Sequence, residues 1–292
     1  FNILDRVGGG DSFGGGLIYS MLEIPEDLYT PLFATARIGA ILVTVNTNYR
    51  ETELRYLLQQ SECENLFIID SVRDHDFIAS TYEVLPELRR QRRGMLEVEG
   101  LPHLKRVFFL GTDKHRGMYS LPELFSLAGD VSDEEYESRK ASISPYDVVN
   151  MQYTSGTTGF PKGVMLTHSA LCAQVGISSS IFPVQPDDVF LSVLPLSHTY
   201  ECSIGMIYPF SMGAQVVYLD RPPTASALMP ALRAVRPSVM LIVPLIIEKI
   251  YRLQVLAKFK STGFWRTLYK IGFMRRYLHR VAGKKLLKLF GG

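Results

Sequence analysis

Tryptophan occurs once and cysteine three times in this chain of 292 residues. Cys63, Cys172 and Cys202 are widely spaced, with no CxxC pair and no Cys/His cluster. That suggests neither a zinc site nor a disulfide framework, and favours a reducing, cytoplasmic setting. Long apolar runs are missing too. Stretches such as Val239 to Ile247 fall well short of the ~20 residues needed to cross a bilayer. No basic-then-apolar leader stands at the start, and the opening residue is Phe1 rather than Met, which reads as a fragment. The last absence is regional. From Lys249 to Gly292 there are 12 Lys or Arg and no Asp or Glu, whereas the first 248 residues carry a net charge of −10. The overall +2 is the residue of these opposed halves, and a split of this kind is a cue for anionic surfaces or ligands.

What is present is a sequence able to build a core, 47% hydrophobic and 21% charged. Short apolar runs bounded by polar turns predict strands at Ala40–Val45, Asn65–Asp70, Lys105–Leu110, Val148–Tyr153, Val189–Leu194, Val216–Leu219 and Val239–Val243. Between them, helical spacing is read at Glu51–Gln60 (with Leu54, Leu57 and Leu58 on one face), Thr167–Ile181, Tyr200–Ser211 and Ala225–Val235. Ser132 followed by Glu135 predicts a helix start. The charged stretch Leu88–Gly100 reads as an exposed excursion. Alternation of strands and helices predicts an α/β fold around a mostly parallel sheet flanked by helices.

The segment Tyr153-Thr-Ser-Gly-Thr-Thr-Gly-Phe-Pro-Lys-Gly-Val164 carries the chemistry. Gly156 and Gly159 permit tight or positive-φ turns that converge backbone N–H groups on one anion. Thr154, Ser155, Thr157 and Thr158 offer hydroxyls to phosphate oxygens, and Lys162 adds a cation on an approach stiffened by Pro161. Between a strand and a helix, such a loop is expected to cradle a triphosphate or pyrophosphate; the plainer alternative is a polar turn that binds nothing. It is not a Walker A loop, because Lys162 follows Pro161 and precedes Gly163.

This loop resembles the phosphate-binding signature of the adenylate-forming (AMP-binding) superfamily, and the likeness extends over roughly Leu32 to Gly292. FATARIGAILVTVNTNYRETEL and HRGMYSLPEL resemble bacterial acyl-CoA synthetases; LPLSHTYECSIGM and RPPTASALMPALRAVRPSVMLIVPLIIEKIY resemble long-chain fatty-acid CoA ligases. The resemblance implies the large N-terminal domain of such an enzyme, with ATP, Mg²⁺ and CoA as cofactors and a fatty acid or other carboxylate as substrate. It implies that Thr154, Ser155, Gly156, Thr157, Thr158, Gly159 and Lys162 hold the phosphates, that Thr154 also meets Mg²⁺, and that His198 lies beside the acyl and adenylate pocket. Lys162 and His198 are thus the catalytic candidates; a hydrogen-bonded structural histidine is the alternative for His198. The superfamily's adenine-binding turn, magnesium-binding glutamate, ribose-binding aspartate and catalytic lysine find no counterpart in the sequence, so the chain is expected to be catalytically incomplete.

Residues 1–30 stand apart from the domain expected over 31–292, and 249–292 form that domain's basic helical end. Within residues 1–30, Asp5-Arg-Val-Gly-Gly-Gly-Asp-Ser-Phe13 resembles the anion-hole loop of ribokinase-type sugar kinases of the ketodeoxygluconate class, with Gly8 to Gly10 and Asp11 in the phosphoryl-cradling and base positions. A sugar kinase remnant is therefore an alternative reading. At residues 249–292, Phe264, Trp265, Leu268, Tyr277, Leu278 and Val281 recur at near-helical spacing among cations. A basic amphipathic helix can lie on an anionic membrane, attract the phosphates of CoA, or simply present a solvated face. A non-catalytic membrane-surface module is the third reading; nucleic acid is not expected, because no recognition motif accompanies the charge.

Overall fold

The computed structural model describes residues 2–5, 31–72, 74–154, 161–219, 223–252, 269 and 271–289. The chain forms two compact units, Phe1–Cys172 and Ala173–Gly292.

In the first unit the elements are β1 (Asn2–Asp5), α1 (Pro31–Arg37), β2 (Ile41–Thr44), α2 (Glu51–Ser61), β3 (Asn65–Ile68), β4 (Ser71–Val72), β5 (His75–Asp76), α3 (Phe77–Val84), β6 (Arg106–Phe109), β7 (Tyr119–Ser120), α4 (Leu121–Ser126), α5 (Asp133–Ala141), β8 (Val148–Thr154) and β9 (Lys162–Thr167). The main sheet has the order β7-β6-β3-β1-β2-β8-β9. The pairs β7–β6, β6–β3 and β2–β8 are parallel; β1 runs antiparallel to both β3 and β2, and β8–β9 is an antiparallel hairpin. The fold is α/β with parallel pairs flanked by helices.

The helices form where the sequence places an apolar stripe. Leu54, Leu57 and Leu58 of α2 are buried together with Leu66, Ile68, Val107 and Phe109 of the sheet and Phe77 of α3, in one continuous core. The stretch after α3 is not the exposed excursion that its charge predicts: Leu88, Leu96, Val98 and Leu101 are buried in the same core, and the charges between them face water. Spaced singly among charged residues, these side chains show no helical or strand period. Arg93 donates to Glu123 at 2.6 Å, and Glu123 also accepts from the Ser120 N–H. Ser132 accepts from the Glu135 N–H and caps α5 as expected.

The second unit has α6 (His168–Ile181), which crosses the division, then β10 (Val189–Ser192), a π-helical turn (Glu201–Ile207) running into α7 (Tyr208–Ser211), β11 (Gln215–Tyr218), α8 (Ala225–Val235), α9 (Pro244–Ile250) and α10 (Gly272–Leu289). Strands β10 and β11 are parallel. The expected strand Val239–Val243 reduces to a single parallel bridge, Phe190↔Val239. Pro244 begins α9 immediately afterwards and supplies no N–H to a ladder, which limits pairing there. Two small cores hold this unit, one of Leu191, Val193, Leu228 and Leu232, the other of Val184, Phe190, Tyr208 and Ala214.

Candidate functional site

The segment expected to bind phosphate is framed by the β8–β9 hairpin. Thr154, the last residue of β8, is the direct cross-strand partner of Lys162, the first residue of β9. Strand β9 was not anticipated: the loop joins two antiparallel strands rather than a strand and a helix, and α6 begins only at His168. The alternation Lys162-Gly-Val-Met-Leu-Thr167 is weak, and glycine at its second position hides the strand period. Gly163 makes a close approach. A Cβ there would lie 3.0 Å from Met151 Sδ and 3.2 Å from Tyr153 Cζ, so the glycine lets β9 close against the β8 side chains.

Thr154 and Lys162 are exposed and stand side by side at the open end of the hairpin. Ser155, Gly156, Thr157, Thr158 and Gly159, the remainder of the expected cradle, lie outside the described residues, as do Gly8 to Gly10 and Asp11 of the N-terminal glycine-rich segment. The far side of the loop is held from α2, where the Tyr56 hydroxyl donates to the Pro161 carbonyl at 3.2 Å. Behind it, Asn150 and Gln152 of β8 are fully buried, and the Asn150 amide donates to the Leu42 carbonyl. The arrangement can offer one hydroxyl and one cation to an oxyanion from adjacent strand ends. Among the described residues no group of three or more His, Cys, Asp or Glu could hold a metal ion. For Mg²⁺, Thr154 would supply one neutral oxygen, a donor type that fits a hard cation.

His198 belongs to the second unit, in the turn between β10 and the π-helical segment. It is exposed. Its N–H donates to the Pro195 carbonyl at 2.9 Å, its carbonyl accepts from the Cys202 N–H at 3.0 Å, and its Nδ1 accepts from the Tyr200 N–H at 3.3 Å. With Nδ1 as acceptor, the neutral ring carries its proton on Nε2 and can donate there.

Three residues on, Glu201 was not singled out from the sequence. It is 0% exposed. The Ser192 hydroxyl donates to its Oε1 at 2.5 Å. Burial pushes its carboxyl up to about 7, opposed only in part by Ser192 and by the Val193 and Leu194 N–H groups. On β11, burial pushes the Tyr218 hydroxyl up to about 12, with the charges of Glu201 and Cys202 adding. The only hint of this in the sequence is an acid inside an otherwise apolar segment, ECSIGMIYPF.

In α10, Phe273 (70% exposed), Tyr277 (62%) and Val281 (37%) recur every fourth residue on the outer face, among Arg275, Arg276 and Arg280. Leu278 is buried and His279 stacks on Tyr251, so the helix has a distinct inner side. Tyr277 and Leu278, read together from the sequence, therefore face different surroundings. Phe264, Trp265 and Leu268 lie outside the described residues. Among the described residues no helix is long and apolar enough to cross a membrane.

The chain belongs to a known family: residues 24–291 match the AMP-binding enzyme family. It is 41% identical over 185 residues to the putative acyl-CoA synthetase YngI of Bacillus subtilis, covering 63% of this chain and 34% of that protein. It is 34% identical over 179 residues to the long-chain-fatty-acid–CoA ligase ACSBG2 of Gallus gallus, covering 59% and 23%. The fold is similar to that of the anthranilate CoA ligase AuaEII solved with anthranoyl-AMP, at a TM-score of 0.58 and 17% identity, covering 85% of this chain and 46% of that one. The chain thus spans about a third of the length of the curated relative YngI.

Proposed function

We propose that this chain is the phosphate-binding part of an ATP-dependent acyl-CoA ligase that activates a fatty acid or a related carboxylate. The observation that carries the reading is the pairing of Thr154 with Lys162 across the mouth of a hairpin whose loop reads Ser-Gly-Thr-Thr-Gly-Phe-Pro. In the reaction, a carboxylate oxygen attacks the α-phosphorus of ATP, the bond to the bridging oxygen breaks, and pyrophosphate leaves. A thiol then attacks the acyl carbon and releases AMP. The protein's task is to hold charge as it accumulates on the departing pyrophosphate. Lys162 neutralises it directly, the loop hydroxyls and N–H groups donate to its oxygens, and Thr154 would help hold the magnesium ion that adds positive charge. His198 would donate from Nε2 beside the acyl and adenylate groups. The relatives that support a fatty substrate include a long-chain ligase, while the similar fold in an anthranilate ligase leaves the acyl pocket to decide the class.

The test is nucleotide binding by calorimetry. Lys162→Ala combined with Thr157→Ala should weaken ATP binding at least tenfold; unchanged binding would refute the reading.

A second property is carried by α10. Its exposed Phe273, Tyr277 and Val281 among cations fit peripheral contact with an anionic membrane, the apolar groups entering the interface and the cations meeting headgroups. Flotation with vesicles containing anionic lipid should recover the chain at low salt and lose it at high salt. Phe273→Ser with Tyr277→Ser should abolish recovery, and wild-type chain staying at the bottom of the gradient would remove this contact.

A further inference from the structure

An acid in the first turn of a helical segment ordinarily faces water, where it complements the positive end of the helix at little cost. Glu201 lies in such a turn and does the opposite. Its side chain turns inward from the first residue of the π-helical turn, is fully buried, and meets the end of β10 at the Ser192 hydroxyl. Gly205 forms the other wall: a Cβ there would lie 2.7 Å from Glu201 Cδ and 2.8 Å from Oε1, so the carboxyl occupies the space that a side chain at 205 would take. Among the described residues Oε2 has no hydrogen-bond partner.

Among the described residues no cation contributes to the setting. The groups that act on Glu201 are the Ser192 hydroxyl and the Val193 and Leu194 N–H groups from β10 and the residues that follow it. Tyr218 on β11 is the titratable neighbour from the facing strand, and Cys202 the one on its own helix. A buried carboxyl with one orphaned oxygen and no cation is an expensive filler, for which an apolar side chain would serve packing better. The residues that it joins are informative. Ser192 closes β10, and the chain between Ser192 and Glu201 is the turn that presents His198, itself tied to the helix start through its carbonyl and the Cys202 N–H.

We propose that Glu201 is a positioning residue, whose carboxyl, pinned by Ser192 and seated against Gly205, fixes the turn from Pro195 to Tyr200 and with it the direction in which His198 presents Nε2. The neutral carboxyl fits this seat, because its charge is not then stranded away from water. Ionisation strands it, and the turn relaxes. The proposal rests on His198 lying at the acyl and adenylate pocket for its consequence, but not for its test.

The experiment follows the side-chain signals of Glu201 and His198 by NMR in the full chain, labelled with ¹³C at both residue types, as pH is raised from 5 to 9. Glu201 should titrate well above the ordinary carboxylate range. His198 should show a second inflection at the Glu201 midpoint besides its own. Glu201→Gln, the neutral isostere, should keep the low-pH His198 shifts and lose that second inflection. Ser192→Ala, which leaves the acid in place, should move both midpoints together. Glu201 titrating near its ordinary value, or His198 signals identical in the wild type and Glu201→Gln across the whole range, would overturn the proposal. The readout needs no nucleotide. Coupling without ATP binding would fail the ligase reading alone, and ATP binding without coupling would fail this one alone.

Discussion

At the mouth of the β8–β9 hairpin, Thr154 and Lys162 stand exposed at paired strand ends, each free to meet a ligand at no desolvation cost to the apo protein. At the start of the π-helical turn, Glu201 is sealed behind β10 and carries one orphaned oxygen. The hairpin rises from the larger unit, where one cluster joins nineteen buried residues from Val43 to Met118, whereas among the described residues the turn's unit has clusters of four buried residues each. The lesson concerns where each region keeps its polar chemistry. The hairpin keeps its one charged side chain, Lys162, at the surface, and the polar groups buried beneath it, Asn150 and Gln152, are neutral amides. The turn uses a polar group as part of its support, and its stability is therefore tied to protonation.

The largest expected effect breaks that contrast by titration. The Glu201 carboxyl is raised to about 7 in the folded protein, above its ordinary value of 4.5. Its contribution is fully present below about 4.5, is lost as pH rises through 7, and is constant above. At ~1.4 kcal/mol per unit, urea unfolding of the wild type should lose roughly 2–3 kcal/mol between pH 5 and pH 8 relative to Glu201→Gln. Equal slopes would place the carboxyl in water.

A slightly smaller effect sharpens the steric side of the comparison. Gly205→Ala places a methyl on the Glu201 carboxyl and should cost about 2 kcal/mol in the same unfolding measurement. In a Glu201→Ala background the added methyl occupies space already vacated, so the two changes together should cost at least ~1 kcal/mol less than their sum. Strict additivity would mean that the two residues do not share a seat.

The smallest effect tests the hairpin. Gly163→Ala brings a methyl to 3.0 Å from Met151 Sδ, a thioether that can shift, and should cost only about 1 kcal/mol. Because both neighbours are uncharged, that cost should not vary between pH 5 and pH 8; a pH-dependent penalty would erase the distinction between the two regions.

Much of the first unit is legible from pattern. The leucines of α2, the apolar runs of β2, β3, β6 and β8 and the Ser132 cap each declare their element through local spacing, and Ala225–Val235 forms a helix over the range its spacing predicts. Strand β9 is not legible, because it pairs with β8 across the hairpin and its glycine at 163, packed close to Met151 and Tyr153, interrupts the strand period. Nor is the single bridge at Val239, where an apolar run with strand character meets the start of α9 at Pro244. The buried residues between α3 and β6 are invisible for a related reason: their partners are far away in sequence.

By itself, the sequence pointed to the family through one ordered loop of glycines, hydroxyls and a lysine, because the identity and order of residues in a short loop are legible locally. It likewise determined the alternation of strands and helices, which depends on short-range periodicity, and the basic character of the C-terminal helix, which depends on composition alone. Only the tertiary structure decided that the loop closes a hairpin, that Phe273, Tyr277 and Val281 of α10 face outward, and that Glu201 turns away from water into the gap left by Gly205. Those outcomes depend on which residues distant in sequence come into contact, and a carboxyl's environment is a property of those contacts rather than of its neighbours along the chain.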